Sequence, residues 1–197
     1  MRIITQKQVE KRLELHKNGL SDIEIAEKLD MTRNGIRTWR KNLKLSPNRF
    51  KKPIRIKEIS EKDKIYIAGF FDGEGTAYFA YGKNNDTIIP KIQISNTNKD
   101  VILWMANAIG LSKIRINRRD KSKKNHKDDY RISISGIYDI KYFIEQIENY
   151  CIVKKDILSL VKKFCESRLS KPAHTHYSDD EFQMYKKSKI LNKKGRY

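Results

Sequence analysis

Asp72 and Glu74 stand among three glycines in Gly69-Phe70-Phe71-Asp72-Gly73-Glu74-Gly75. The apolar residues Ile65, Ile67 and Phe70 before them recur at helical spacing, so both acids fall at the C-terminal end of a helix. The helix dipole is negative there and disfavours further negative charge. Gly73 and Gly75 strip side-chain bulk from around the acids. Ala68 and Gly69 leave a smooth helix face on which a second backbone could settle. Acids in so unfavourable a place call for something positive, and a divalent cation held by oxygen ligands would supply it. The chemistry to expect is therefore that of a carboxylate-bound metal.

The elements that would position these acids follow in a readable order. Ser60 starts the helix as its N-cap, with Asp63 as the capping-box partner, and the helix ends at Gly73 to Gly75. Residues 76–81 and 88–95 alternate as a strand pair across Gly82-Lys83-Asn84-Asn85-Asp86. Residues 100–109 read as a helix. Residues 114–117 and 130–135 read as two more strands, joined by the cationic loop 118–129. Two amphipathic helices, 137–150 and 154–169, close the segment. The order implies an α+β domain over residues 60–170, its antiparallel sheet covered by helices on one face.

Before it, residues 1–45 read as three helices. Thr5 to Lys17 carries Val9, Leu13 and Leu15 among charges. Ser21-Asp22-Ile23-Glu24 is a capping box that opens a second helix burying Ile25, Ala26 and Leu29. Asp30-Met31 turns the chain, and Thr32 caps a third helix that inserts Ile36, Trp39 and Leu43. The small Ala26 amid apolar Ile25, Leu29, Met31, Ile36 and Trp39 suits two helices meeting at a steep angle. Residues 22–40 resemble the helix-turn-helix of resolvases and sigma-factor-like DNA-binding domains, with Asp30 where glycine is usual. The resemblance implies that the third helix enters a major groove with Thr32, Arg33, Asn34, Arg37 and Thr38 outward, and that Arg40 and Lys41 meet phosphates. Residues 46–59 carry two prolines and clustered cations without helical period, as a basic linker would. Residues 171–197 read as a basic tail with a short helix begun by a capping box from Ser178 to Glu181.

Charge distribution agrees with a polyanionic partner. Lys and Arg number 43 against 24 Asp and Glu, a net charge of +19. Residues 61–112 carry 5 basic and 6 acidic groups, whereas residues 113–131 carry 9 and 3. Positive charge thus gathers at the ends, the linker and one loop around a near-neutral body, as phosphate contacts gather around a packed core. A membrane protein and a collagen-like chain are excluded, since no apolar run approaches the roughly 20 residues of a membrane span. The N-terminus has no signal-peptide apolar core, so an intracellular protein is expected. Cys151 and Cys165 form neither a disulfide framework nor a zinc cluster with any histidine pair, and are expected to be buried thiols.

The stretch Ile67-Ala68-Gly69-Phe70-Phe71-Asp72-Gly73-Glu74-Gly75 closely resembles the motif of LAGLIDADG homing endonucleases. Ile67 stands for the first leucine, Phe70-Phe71 for the Leu-Ile pair and Glu74 for the second aspartate. The resemblance extends over about residues 60–170, because the strand and helix order is also theirs. It implies an αββαββα domain with an antiparallel, saddle-shaped sheet, preceded here by the small all-α helix-turn-helix domain. One motif in the chain implies a homodimer, joined through Ala68, Gly69 and Asp72. The implied activity is site-specific hydrolysis of both strands of duplex DNA with Mg²⁺ (or Mn²⁺), held by Glu74 and the Gly73 carbonyl. Asp72 is expected to support the helix end rather than bind metal. Asn96 matches a polar position that holds water near the metals, and Lys154 a lysine that stabilises charge at the scissile phosphate. A shift of one residue would put Lys155 there instead. Asp100 falls near where some members carry a basic residue. Tyr78, Lys91, Gln93, Arg115, Asn117 and Arg131 would read the major groove, with facing left open because a one-residue slip exchanges the faces. Arg118, Arg119 and the rest of the loop 118–127 would follow phosphates. Two other roles stand beside this one: a non-cutting DNA-binding regulator, and a splicing cofactor (maturase) that binds intron RNA. Retention of Glu74 argues against the regulator, since a pure binder has no need of an acid there.

Overall fold

The computed structural model describes residues 6–48, 54–82, 86–118, 127–172 and 175–193. The chain falls into two compact units, residues 1–52 with 169–176, and residues 53–168 with 177–197.

In the first unit, helices α1 (Gln6–Lys17), α2 (Asp22–Lys28) and α3 (Arg33–Asn42) enclose Leu15, Ile25, Ala26 and Ile36. Leu20, Leu29, Met31 and Trp39 pack around that core. Both arms of the Ser21–Glu24 capping box form. Asp30 takes φ 48°, the left-handed geometry its short polar side chain tolerates. Thr32 caps α3 by accepting from the Gly35 N–H. Leu43 departs from expectation: α3 ends at Asn42, so Leu43 leaves the helical face and is exposed.

The second unit runs α4 (Glu61–Glu74), β1 (Gly75–Gly82), β2 (Thr87–Asn96), α5 (Lys99–Ile109), β3 (Arg115–Asn117), β4 (Asp129–Ile134), α6 (Ile137–Ile147), α7 (Lys155–Ser170) and α8 (Asp179–Lys193). This is the expected α+β class. The strands form one antiparallel sheet in the order β1-β2-β4-β3. Period-two alternation sends Ala77, Phe79, Ile88, Ile92, Ile94, Ile132 and Ile134 to one face, where they are buried with Phe71, Phe143 and Phe164 from the helices. Each Ile or Phe side chain among them contributes roughly 1.5–3 kcal/mol on burial. The apolar face thus fixes which strand residues look outward.

Three boundaries differ from the sequence reading. First, α6 stops at Ile147, because the chain must turn to lead Cys151 into the core. Second, the linker is largely taken up by the two units. Asn48 donates to the carbonyls of His16 and Leu20, at 2.6 and 3.0 Å. Arg55 pairs with Asp139, and Ile56 and Ile59 are buried. Third, the helix of the tail is 15 residues long and docks on the second unit. Its buried Glu181 accepts from Arg168 at 3.3 Å and from Ser167 at 2.8 Å.

Candidate functional site

Helix α4 delivers its last residue, Glu74, to the point where the chain becomes β1. The N–H of Gly75 closes the helix on the Phe71 carbonyl. Glu74 itself is exposed, and among the described residues no hydrogen bond engages its carboxylate.

Asp72 has a different fate. It accepts from the backbone N–H groups of Ile152, Val153 and Lys154 at 2.6, 3.0 and 2.9 Å. Burial alone would raise its carboxyl, but the three donors and the charge of Lys154 hold it below the ordinary aspartate value. Asp72 therefore fixes the segment that carries Lys154. That lysine turns back over the helix end, donating its Nζ to the carbonyls of Phe71 at 2.9 Å and Gly73 at 3.4 Å. The Gly73 carbonyl is among those that a helix C-terminus leaves without intrahelical partners, whereas the Phe71 carbonyl accepts from the Gly75 N–H as well. Its ammonium also lies 5.6 Å from the centre of the Phe71 ring. Desolvation pulls the Lys154 pKa below the ordinary lysine value, against the opposing pull of Asp72 and Glu74. Of the two lysines the sequence left open, Lys154 occupies this position, while Lys155 begins α7 and is exposed.

Asn96 ends β2 in the same neighbourhood of the sheet, since Gly75 pairs with Ile94 two residues earlier. Its Oδ1 accepts from the Asn98 N–H at 2.8 Å, and Asn98 in turn caps α5. Asp100, in the first turn of α5, is exposed. Cys151 packs beneath the site with Sγ 3.8 Å from the Ala68 carbonyl, and burial pushes its thiol up to about 12. Cys165 is likewise buried and pushed up to about 12. Neither is poised as a thiolate.

The donor set at the end of α4 suits a hard divalent cation. Mg²⁺ is commonly held by one or two carboxylates plus phosphate oxygens and waters, not by an all-protein cage. Glu74 offers such a carboxylate and Gly73 a carbonyl, although the Gly73 oxygen also receives Lys154. Among the described residues no cluster of three or more His, Cys, Asp or Glu gathers.

The sheet face opposite the core carries the candidate base readers together. Tyr78 pairs with Lys91, Thr76 with Gln93 and Gln93 with Ser133. Arg131 is the partner of both Ser95 and Arg115, and Asn117 pairs with Asp129. Directly opposed residues project to the same side. Tyr78, Lys91, Gln93, Arg115, Asn117 and Arg131 thus share one surface, and the facing that the sequence left open is settled. Arg131 also pairs with Asp129 at 3.2 Å. Arg118 is exposed, whereas Arg119 and loop residues 119–126 lie outside the described residues.

On α3, Arg33, Asn34, Arg37 and Thr38 are exposed together with Lys41. Thr32 is exposed too, but its hydroxyl oxygen caps the helix. Arg40 is corrected. Its guanidinium is buried and forks onto Asp22 at 2.7 and 2.9 Å, with a third bond to the Leu45 carbonyl. It fastens α3 to α2 and does not face a phosphate.

Two of the three residues assigned to a dimer seam are also corrected. Ala68 is fully buried within its own unit, beside Ile67 and Phe71. Asp72 has its oxygens committed to residues 152–154. Gly69 does lie on the open side of α4, where a Cβ would meet nothing within 4 Å, and Gly73 matches it one turn on. Ile65 and Tyr66, exposed at 55% and 52%, complete this side and were missed. The signal was available, since residues 62, 65, 66, 69 and 73 fall on one side of a helix.

No family model matches the chain, and no curated protein is similar to it in sequence. Solved structures are similar in fold. The I-SmaMI LAGLIDADG homing endonuclease bound to cleaved DNA aligns with 100% of this chain and 68% of its own, at 17% identity and a TM-score of 0.51. The LAGLIDADG homing endonuclease I-GzeII in complex with its DNA target aligns with 95% of this chain and 68% of its own, at 17% and 0.50. The homing endonuclease I-CvuI in complex with its target aligns with 66% of this chain and 82% of its own, at 15% and 0.50.

Proposed function

We propose that this chain, which carries the fold of the LAGLIDADG homing endonucleases, is a site-specific endonuclease that cuts both strands of duplex DNA as a homodimer. The observation that carries the reading is the pairing at the end of α4. An exposed Glu74 carboxylate stands there beside an ammonium tied to the same helix end. Sheet residues able to read base edges share the outer face of the same unit. The solved proteins of this fold include complexes with DNA, which supports duplex DNA as the ligand.

Mg²⁺ (or Mn²⁺) at Glu74 and the Gly73 carbonyl would polarise the scissile phosphate and acidify an attacking water. The chain's own residues have separate tasks. Glu74 supplies the negative charge that holds the cation. Lys154 places a positive charge next to it and lowers the cost of charge that builds on phosphate oxygens. Asp72 acts through Lys154, fixing its backbone so that the ammonium does not wander. The amide of Asn96 is suited to orienting a water. The outer sheet face positions the duplex by side chains that match base edges, Arg and Lys toward guanine and Gln and Asn toward adenine. Thr32, Arg33, Asn34, Arg37 and Thr38 of the first unit would add a second set of contacts, which raises affinity through the covalent link between units. Two copies are required because one chain offers one such carboxylate, and the open side of α4 is the surface through which they would meet.

Glu74→Gln tests the reading. It keeps size and shape and removes the charge, so Mg²⁺-dependent cleavage of a selected duplex should fall about a thousand-fold, as losing several kcal/mol of metal-borne stabilisation requires. Binding of the same duplex should persist. Cleavage at the original rate would remove Glu74 from the mechanism. Tight duplex binding by the unaltered chain without any Mg²⁺-dependent cutting would favour the regulator.

A further inference from the structure

Helix α8 carries a charge pattern that the site above leaves unused. It is fixed by the contacts of Glu181 to Arg168 and Ser167 and of Asn192 to the Ala77 carbonyl at 3.1 Å, and the segment before it by Tyr177 to the Ile88 carbonyl at 3.1 Å. After Glu181 the helix contains no acid, yet it holds Lys186, Lys187, Lys189 and Lys193.

Helical geometry sorts these lysines into two groups. At about 100° per residue, Glu181, Tyr185, Ser188 and Asn192 fall on the docked side. Lys186, Lys189 and Lys193 fall within about 60° of one another on the flank beside Tyr185. Tyr185 stacks on Tyr81 of β1 at 5.5 Å, and the Lys189 Nζ lies 4.4 Å from the Tyr185 ring. That flank therefore runs beside β1, one of the two edge strands of the sheet, next to Tyr81, which is opposite Ile88 and projects to the core side. Lys187 falls on the opposite flank, beside Asp156, Ser159 and Lys163 of α7. Among the described residues neither Lys186 nor Lys193 joins an ion pair, and both are exposed.

Like charges three and four residues apart on a helix repel, each pair at a cost of about 0.2–0.5 kcal/mol. A scattered basic surface would avoid such a stripe. A rigid row of cations along the rim of a DNA-binding sheet instead matches the regular charge of a phosphate backbone. We propose that Lys186, Lys189 and Lys193 form a phosphate-contact stripe that carries the bound duplex past the β1 edge. The stripe rests on the reading of the outer sheet face as a DNA surface, and its partner is the backbone of that same duplex.

Two pairs of substitutions that remove equal charge test it. The full chain is titrated with salt against a long random-sequence DNA duplex, for K186Q/K193Q and for K163Q/K187Q. The slope of log affinity against log salt should shrink by about 1.8 in the first pair, about 0.9 for each phosphate no longer neutralised. It should stay near its original value in the second pair, and K186R/K193R should keep the original slope. Equal changes in both glutamine pairs would show a general field effect, and no change in the first would show solvated lysines. Either result overturns the stripe while duplex binding by the unaltered chain stands. Absence of salt-dependent duplex binding by the unaltered chain would instead overturn the DNA reading itself.

Discussion

Asp72 and Glu74 are two residues apart and do unlike things. The difference comes from a segment 80 residues downstream. Three consecutive N–H groups converge on Asp72, the arrangement that stabilises a carboxylate most. Its folded pKa lies below the unfolded one, so the stabilisation is present above the ordinary aspartate value and disappears as pH falls through the lower, folded value. Asp72→Asn should therefore lower stability by about 1–3 kcal/mol near neutrality, as weakened acceptors leave donors under-satisfied. The gap between variant and original chain, followed by urea unfolding at several pH values, should close toward acid. A gap independent of pH would mean that the carboxylate charge contributes nothing. The sequence made the acid pair and its glycines visible, and it suggested Asp72 as a helix-end support. It could not show what Asp72 supports, because nothing local in residues 152–154 announces three free N–H groups. Arg40 was misread for the same reason: its partner, Asp22, is distant in sequence and only the packing of α2 on α3 joins them.

The junction between α4 and β1 is where an element sets the site. A Cβ on Gly75 would lie 2.1–2.5 Å from the ring of Phe71, which is fully buried and packs edge-on to Phe143. The ring cannot yield without disturbing the core, so Gly75→Ala should cost about 1–3 kcal/mol. Gly73 faces open space, and Gly73→Ala should be neutral or add up to about 1 kcal/mol to folding stability. Urea melts of the two variants check the contrast, and equal effects would mean that the approach of Phe71 does not decide the junction. Element order was readable in the sequence because periods of 3.6 and 2 alternate cleanly from Ser60 to Leu169. The length of α8 was not. Its docked side includes Glu181, fully buried against Arg168, and a charged residue on the inner side breaks the apolar period that marks such a face. Ala68 was misplaced for the converse reason: α4 is apolar on both sides, and only the sheet determines which side is consumed within the unit.

At the scale of the whole molecule, the open side of α4 presents a conflict that a single chain does not resolve. Glycine in a helix interior costs about 1 kcal/mol relative to alanine, yet Gly69 has room for a Cβ. Folding alone would favour alanine there. Ile65 beside it is more than half exposed, which a solitary chain also gains nothing by keeping, and Tyr66 is as open although it packs edge-on to Trp104. The proposed homodimer would account for both, because glycine would permit the backbone of a second α4 to approach and the two apolar side chains would then leave water. Gly69→Ala should thus have opposite effects on the two levels. Unfolding of the dissociated chain should become harder by up to about 1 kcal/mol. The dimer should weaken about ten- to a hundredfold, as overpacking a close contact by 1–3 kcal/mol implies. Sedimentation equilibrium gives the second quantity and chemical denaturation at low concentration the first. On the proposed mechanism duplex cleavage should then need correspondingly more protein, since the second carboxylate would come from another chain. A more stable chain with undiminished self-association would place the contact on some other surface, and the two Glu74 residues would no longer have a seam at which to meet.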